Sequence, residues 1–399
     1  MKKYYTILVS SLTAIFLLCI SSVEVKAIPA FARKYQISCQ VCHSPVAPRL
    51  KGFGEDFAGQ GFRMTDYESP RYFINTGDEK LSLLREFPLG VRFDGHISYN
   101  NGNEGTSDFG TPFGLKLLSG GELSDNLSYY FYFYMNERGE LTGVEDAFLM
   151  WNNLFGLGVN LYVGQFQKSD PLFKRESRLT LEDYHAYTVA PGNSKGSLKY
   201  DRGIMVEYGL PTGTDIIGEL VNGNGIGQAG DEFLFDTDKY KTWLLKINQG
   251  IGEVISIGFF GSSGKELLPG STEDFVSTMT YFGPDMSLNF NEQLIINLQY
   301  VRRTDSRVYL DSYEVMVDDV GMNGGFAEVI FAPKGDRSNW YFTGLLNLVD
   351  SELDYLDYQS LTFHTGYLLR RNVRLVGEYT HVLSGTPYGK ASVGFVSAF

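Results

Sequence analysis

Cysteine is scarce in this 399-residue chain: there are three, and one of them, Cys19, lies in the apolar run near the N-terminus. So few thiols exclude a disulfide-stapled scaffold. Positive charge is also in deficit, 34 Lys and Arg against 47 Asp and Glu, a net charge of −13. That balance excludes nucleic acid as a partner, because phosphate binding needs a basic footprint. Long apolar runs are missing after residue 23, which excludes a bundle of membrane-spanning helices. What the chain does have is 26 Tyr, 29 Phe and 45 Gly. An acidic chain rich in Gly and aromatics, without helical spans, fits a membrane β-barrel. A water-soluble β-protein shares much of that composition, so the residue pattern has to decide.

The first 27 residues read as an export signal. Lys2 and Lys3 precede a run of apolar and small residues from Thr6 to Val23, and Val25-Lys26-Ala27 fits the small-residue cleavage rule. Cleavage there leaves a mature chain beginning at Ile28 with a net charge of −15. An uncleaved anchor is the alternative reading, since the run approaches spanning length. Leu18 before Cys19 is too bulky for a lipoprotein cleavage site, so Cys19 is lost with the signal.

The other two cysteines form Cys39-Gln40-Val41-Cys42-His43. Two thiols three apart beside an imidazole are what covalent c-type haem attachment requires. Each thiol adds across one vinyl group, and His43 is placed to ligate iron. A structural zinc would need ligands that the chain does not offer nearby, and a thioredoxin-like motif would need a βαβ setting. The reading is therefore one covalent haem c held by Cys39, Cys42 and His43. Residues 28–70 are too few for a complete cytochrome core. A short helix is expected from Pro48, with Leu50, Phe53 and Phe57 on one face, either covering the porphyrin or packing on a larger partner. Met64 is the nearest candidate sixth ligand, and a thioether there would raise the potential. His96 and His364 are more distant alternatives, as is an open iron.

From about Pro88 onward, segments of roughly ten residues alternate apolar and polar side chains between Gly/Asn/Asp/Pro clusters. Ile97 and Tyr99 share a face opposite Asp94 and His96; Trp243, Leu245 and Ile247 oppose Lys246 and Asn248; Leu361 and Phe363 oppose Thr362, His364 and Arg370. A period of two places each set on one side of a sheet. The segments are long and many carry an aromatic near an end. Short turns (Asn248-Gln-Gly, Asn289-Phe-Asn, Arg370-Arg-Asn) alternate with longer polar loops, and the chain closes on an alternating segment ending in Phe399. The reading is an all-β fold, a transmembrane antiparallel β-barrel of about sixteen strands, with fourteen and eighteen also compatible. Lumen-facing charges then include Arg92, Asp94, Glu207, Lys246, Arg374 and Glu378, too mixed in sign to assign ion selectivity. The third long loop, Gln167 to Arg202, carries a candidate helix from Arg175 to Tyr184. It is expected either to narrow the pore, as the third loop does in general porins, or to lie exposed in solvent.

The N-terminal segment resembles the leader of exported proteins of anaerobic and metal-reducing bacteria, in which an FAR…CxxCH…P.L..FG..F...G leader precedes an outer-membrane barrel. Phe31-Ala32-Arg33, Cys39 to His43, Pro48, Leu50, Phe53-Gly54, Phe57 and Gly61 carry the resemblance. It implies haem binding and electron transfer without naming a substrate. The expected organisation is a signal peptide at 1–27, a haem-binding segment at 28–70, a linker at 71–87 and a barrel at 88–399. The expected setting is the outer membrane, with the haem segment facing the periplasm. Expected partners are outer-membrane lipid, small solutes, and periplasmic or multihaem cytochromes, with further copies of the chain as an option. A solute-passing barrel with a tethered haem is the leading reading, and a component of an electron conduit is the second. A peroxidase-like enzyme is the weakest, since no acid–base constellation accompanies His43.

Overall fold

The computed structural model describes residues 30–64, 77, 87–102, 105–230, 232–310 and 315–399. The expected signal peptide and nearly all of the expected 71–87 linker lie outside the described residues. Sixteen strands close into one antiparallel barrel in which each strand pairs with its sequence neighbours. They are β1 (Leu89–Asn100), β2 (Thr106–Ser124), β3 (Leu127–Glu137), β4 (Glu140–Trp151), β5 (Val159–Gln167) and β6 (Tyr200–Leu210). Next come β7 (Thr214–Val221), β8 (Thr242–Ile251), β9 (Ile255–Leu268), β10 (Phe275–Phe290) and β11 (Leu294–Leu310). The last five are β12 (Val315–Phe331), β13 (Trp340–Ser351), β14 (Tyr358–Arg370), β15 (Val373–Val382) and β16 (Tyr388–Ala398). The seam is β1 on β16, in register from Arg92 opposite Ala398 to Asn100 opposite Lys390. Val91 and Phe399 exchange backbone hydrogen bonds of 2.6 and 2.8 Å, so the terminal residue itself closes the cylinder.

Alternation determines which side chains meet the lumen. On β8, Trp243, Leu245 and Ile247 are 49, 44 and 46% exposed, whereas Leu244 and Lys246 are buried. The outer wall is therefore apolar and the inner wall mixed. Inside, polar side chains pair across strands, Lys246 with Asp285 and Asn297 Nδ2 donating to Glu328 at 2.7 Å, and along one strand, Arg303 with Asp305 at 2.6 Å on β11. One end of the barrel carries most of the two- and three-residue turns together with the start of β1 and the end of β16. Trp151, Phe290, Phe331 and Trp340 are exposed at the strand ends there, forming an aromatic band.

Three local expectations change. Asn248-Gln-Gly lies within β8, and the turn follows Ile251. Arg370 is exposed rather than facing inward, because a register shift between Leu368 and Arg370 breaks the alternation at the end of β14. The loop after β5 contains no α-helix between Arg175 and Tyr184. It has two single 3-10 turns, Arg175–Ser177 and His185–Tyr187.

Candidate functional site: a leader and a loop inside the barrel

The leader begins with helix α1 (Ala30–Tyr35) and then makes a 3-10 turn at Cys39–Val41, with Ser38 at its N-cap accepting from the Gln40 amide. The amides of Cys42 and His43 both reach back to the Cys39 carbonyl, at 3.3 and 2.9 Å. Residues i and i+3 eclipse in a 3-10 turn, so the Cys39 and Cys42 side chains project from one side. Both thiols are free and half-buried, and burial pushes both above the usual thiol pKa. The chain then doubles back: His43 bridges to Leu50, and the Lys51 amide donates to the Cys42 carbonyl at 3.0 Å. His43 Nδ1 lies 3.0 Å from the Arg49 carbonyl. Donating there fixes the tautomer and leaves the Nε2 lone pair for a metal. Burial lowers the His43 pKa, which keeps the ring neutral. Two eclipsed thiols and one oriented neutral imidazole fit the donor set of a covalent haem.

Helix α2 runs from Gly52 to Gly59, later than a start at Pro48, because the His43–Leu50 bridge holds the preceding residues extended. Leu50 therefore lies outside the helix, Phe53 is exposed and Phe57 is buried. Gly54 lets α2 approach the cysteine turn: a Cβ there would sit 2.2 Å from the Cys42 carbonyl oxygen. Gly54→Ala is accordingly expected to displace α2 and destabilise the docked leader by roughly 1–3 kcal/mol. Limited proteolysis of the leader in the intact protein measures this. Gly61 adopts a left-handed φ of +76° where a Cβ would collide with Asn152 and Ser128 of the barrel.

The leader is seated in the short-turn mouth. Phe62 stacks on Phe31 at 5.3 Å and on the wall residue Tyr130 at 4.8 Å, with Phe57 and Tyr35 completing the cluster. Met64 packs, partly buried, against that same cluster. Asn152 and Asn160 donate to the Gly59 carbonyl at 2.8 and 2.9 Å. Across the mouth Lys51 pairs with Asp336, Arg374 donates to the Ala47 carbonyl, and Arg49 lies 3.8 Å from Glu328. The hairpin between His43 and Leu50 enters the lumen, and Val46 packs with Ile295, Ile330, Tyr341, Leu368 and Leu179.

Leu179 belongs to the β5–β6 loop, which folds into the barrel as the pore-narrowing expectation required. Wall side chains take up its backbone amides in place of helical bonds. Gln167 accepts from Arg175 at 2.6 Å, Glu378 from Leu181 and Glu182 at 2.7 and 2.9 Å, and Asn347 from His185 at 3.1 Å. Tyr184 stacks on Phe326 at 4.0 Å. Two ionic clusters pin the loop's charged half. Lys116 of β2 lies 2.6, 2.8 and 3.1 Å from Glu137, Glu145 and Glu176, so its ammonium is the cation among those three carboxylates. Asp183 pairs with Arg175 and sits 3.6 and 3.8 Å from Arg178 and Arg138.

Burial alone would raise Asp183, but Arg178 and Arg175 outweigh it and hold the carboxyl well below its usual range. Glu176 behaves alike under Lys116 and Arg178. A depressed folded pKa contributes stability that is present above the unfolded value, near 4, and lost only as pH falls through the folded one. The loop is therefore expected to stay pinned from neutral pH down to about pH 4, as read by its protease resistance. Asp183→Asn removes the carboxylate shared by Arg175, Arg178 and Arg138, leaving Arg178 the more distant Glu176 at 3.8 Å, and should cost roughly 3 kcal/mol, read as loop cleavage at neutral pH.

Of the histidines outside the leader, His96 and His364 face the lumen as the alternation implied. His364 is engaged, Nδ1 with Glu378 at 2.9 Å and Nε2 with Tyr341 at 3.3 Å. His185 stacks on Tyr358 in the loop, and His381 lies beside Tyr379. The predicted lumen charges Arg92, Asp94, Lys246, Arg374 and Glu378 all make lumen contacts, and Glu207 accepts from the inward Tyr162 at 2.6 Å. Lys116 and the carboxylates around it are additions. Alternation places Lys116 inward, but its partners come from three separate segments.

Sixteen strands, short turns at one end and a loop folded across the lumen define a porin-type barrel. Among solved structures, the chain is similar to the anion-selective porin from Comamonas acidovorans, with 13% identity, TM-score 0.56, and coverage of 79% of this chain and 99% of that one. It is also similar to the outer membrane channel DcaP of Acinetobacter baumannii (14% identity, TM-score 0.52, 78% and 96%). A third is a loop L8 deletion mutant of OmpT, an outer membrane protein of Vibrio cholerae (11%, 0.51, 79% and 99%). At these identities the likeness is one of fold. No family model matches the sequence. No curated protein matches it either.

Proposed function

We propose that this protein is an outer-membrane, non-enzymatic barrel that passes small solutes in restricted fashion and carries one c-type haem at its periplasmic mouth. Cys39 and Cys42 hold the haem, and His43 ligates the iron through Nε2. The observation that carries the reading is the seated leader, with the two thiols and the oriented imidazole on one turn. In bacterial barrels the short turns are periplasmic, so the leader's end of the barrel faces the periplasm. A haem bound there supplies one-electron chemistry. The protein's part is to orient His43 through the Arg49 carbonyl and to hold the turn against α2 at Gly54. Met64 is the proposed sixth ligand, and its thioether would raise the potential.

Periplasmic electron carriers are the proposed partners. An apolar band about 25 Å tall cannot be crossed by electrons from one haem at its edge. A trans-membrane wire would therefore need further haems on another chain. One of the similar proteins, OmpT of Vibrio cholerae, is described in a trimer form, and a homo-oligomer is proposed here as well.

A haem stain and an absorption spectrum of protein extracted from outer membranes test the reading. Covalent haem in that fraction, with a low-spin spectrum, is the expected result. A haem-free barrel there would overturn it. In Met64→Ala the methionine-ligand band at the red end of the ferric spectrum should vanish, and its survival would remove Met64 as the ligand.

A further inference from the structure

One cavity in the lumen lies between the inner loop and the β1–β3 wall, lined among others by Arg92, Asp94, Phe113, Lys116, Arg138 and Arg178. Most charges around it are paired. Arg92 donates to Asp94 Oδ2 at 2.8 Å, and Lys116 is held by its three carboxylates. Two are not fully used. Asp94, 5% exposed, has Oδ1 without a hydrogen-bond partner among the described residues. Arg178, with a side chain 8% exposed, donates through Nη1 to the Arg175 carbonyl at 2.7 Å, while its Nε has no such partner.

A third orphan lies beside them. His96, on the same face of β1 as Asp94, is 5% exposed, has no hydrogen-bond partner for either ring nitrogen among the described residues, and rests on Phe113 with ring centroids 4.0 Å apart. Gly114, also in the lining, keeps space open at Asp94: a Cβ there would come within 3.3 Å of Oδ2. An anionic acceptor and a cationic donor, both nearly buried and each with one polar atom unused among the described residues, thus line one cavity. Leaving such groups unsatisfied is costly.

We infer that this cavity is a subsite for a small zwitterion of the α-amino-acid class, its ammonium on Asp94 Oδ1 and its carboxylate on Arg178 Nε. A singly charged solute would engage one of the two unused atoms and leave the other without a hydrogen bond; a solute with neither charge would make only weaker bonds to both. The inference deepens the solute-passing reading by naming a substrate class, and it is tested without relying on flux.

Saturation-transfer NMR on the full-length protein in detergent compares L-alanine with propionate, which lacks the amine, and ethylamine, which lacks the carboxylate. Alanine should saturate, with the other two binding at least about tenfold more weakly. Asp94→Asn and Arg178→Gln should each weaken alanine about tenfold. Equal binding of all three probes, or none by alanine, overturns the inference, and the wild-type comparison decides this even if a variant fails to fold. Potassium chloride conductance in planar bilayers is measured separately. Its absence would remove the solute-passing reading while leaving the alanine result to stand on its own.

Discussion

Deleting residues 30–64 is expected to raise single-channel conductance severalfold in planar bilayers. The leader crosses the short-turn mouth from Glu122 and Asn152 on one side to Asp336 and Arg374 on the other, and its hairpin reaches the inner loop at Val46 and Leu179. With both in place, the β11–β15 side of the lumen is filled from the mouth to the loop. The deletion removes the hairpin and leaves the strand pairing untouched, so the barrel should still form. Glu328, which loses Arg49, keeps Asn297 and Tyr184 as donors at 2.7 and 3.0 Å, so no lone buried carboxylate opposes the truncation. Unchanged conductance would mean that ions already pass by another route and that the leader is not an obstruction. The inner loop supplies the comparison. Removing residues 175–195 should also raise conductance, and removing both segments should exceed either alone.

The second large effect concerns the thiols. Replacing Cys39 and Cys42 together by serine is expected to abolish covalent haem completely, read as loss of the haem stain on a denaturing gel. Either single replacement should leave one thioether and a weaker stain. His43→Ala should retain the stain, since attachment runs through sulfur, yet change the spectrum, because the nitrogen oriented by the Arg49 carbonyl is gone. This pattern separates the attaching residues from the ligating one. A stain that persists in the double variant would place the haem elsewhere and overturn the assignment. In all these variants the barrel is expected to remain intact, since the sheet includes none of the three residues.

Strand positions were legible because a wall with lipid on one side and a polar lumen on the other imposes strict alternation; the expected count of about sixteen and the onset near Pro88 match the sixteen strands that begin at Leu89. The rule failed where the wall ends: at Arg370 a bulge turns a side chain that counting places inside. The inner loop's position was legible from its length and order, but its conformation was not. The expectation there is a short helix over Arg175–Tyr184. Gln167 and Glu378 take amides of that stretch and Asn347 takes the next, that of His185, and the three reside on different strands. The same limit hid the Lys116 cluster. In the leader, the motif glycines were visible as letters. Their reasons, the Cys42 carbonyl against Gly54 and Asn152 against Gly61, appear only once the leader is docked.

The meeting of Val46 with Leu179 also bears on the order of assembly. Both segments come early in the chain, yet their apolar neighbours Ile295, Ile330, Tyr341 and Leu368 belong to β11–β14, near its end. Contacts so remote in sequence form late, after shorter-range pairings have closed. The hairpin can reach its seat only once a nearly finished cylinder surrounds it, although the leader is among the first parts of the chain to be made. Protection of the leader from protease during refolding should therefore lag strand pairing, and so report the moment at which the barrel is complete.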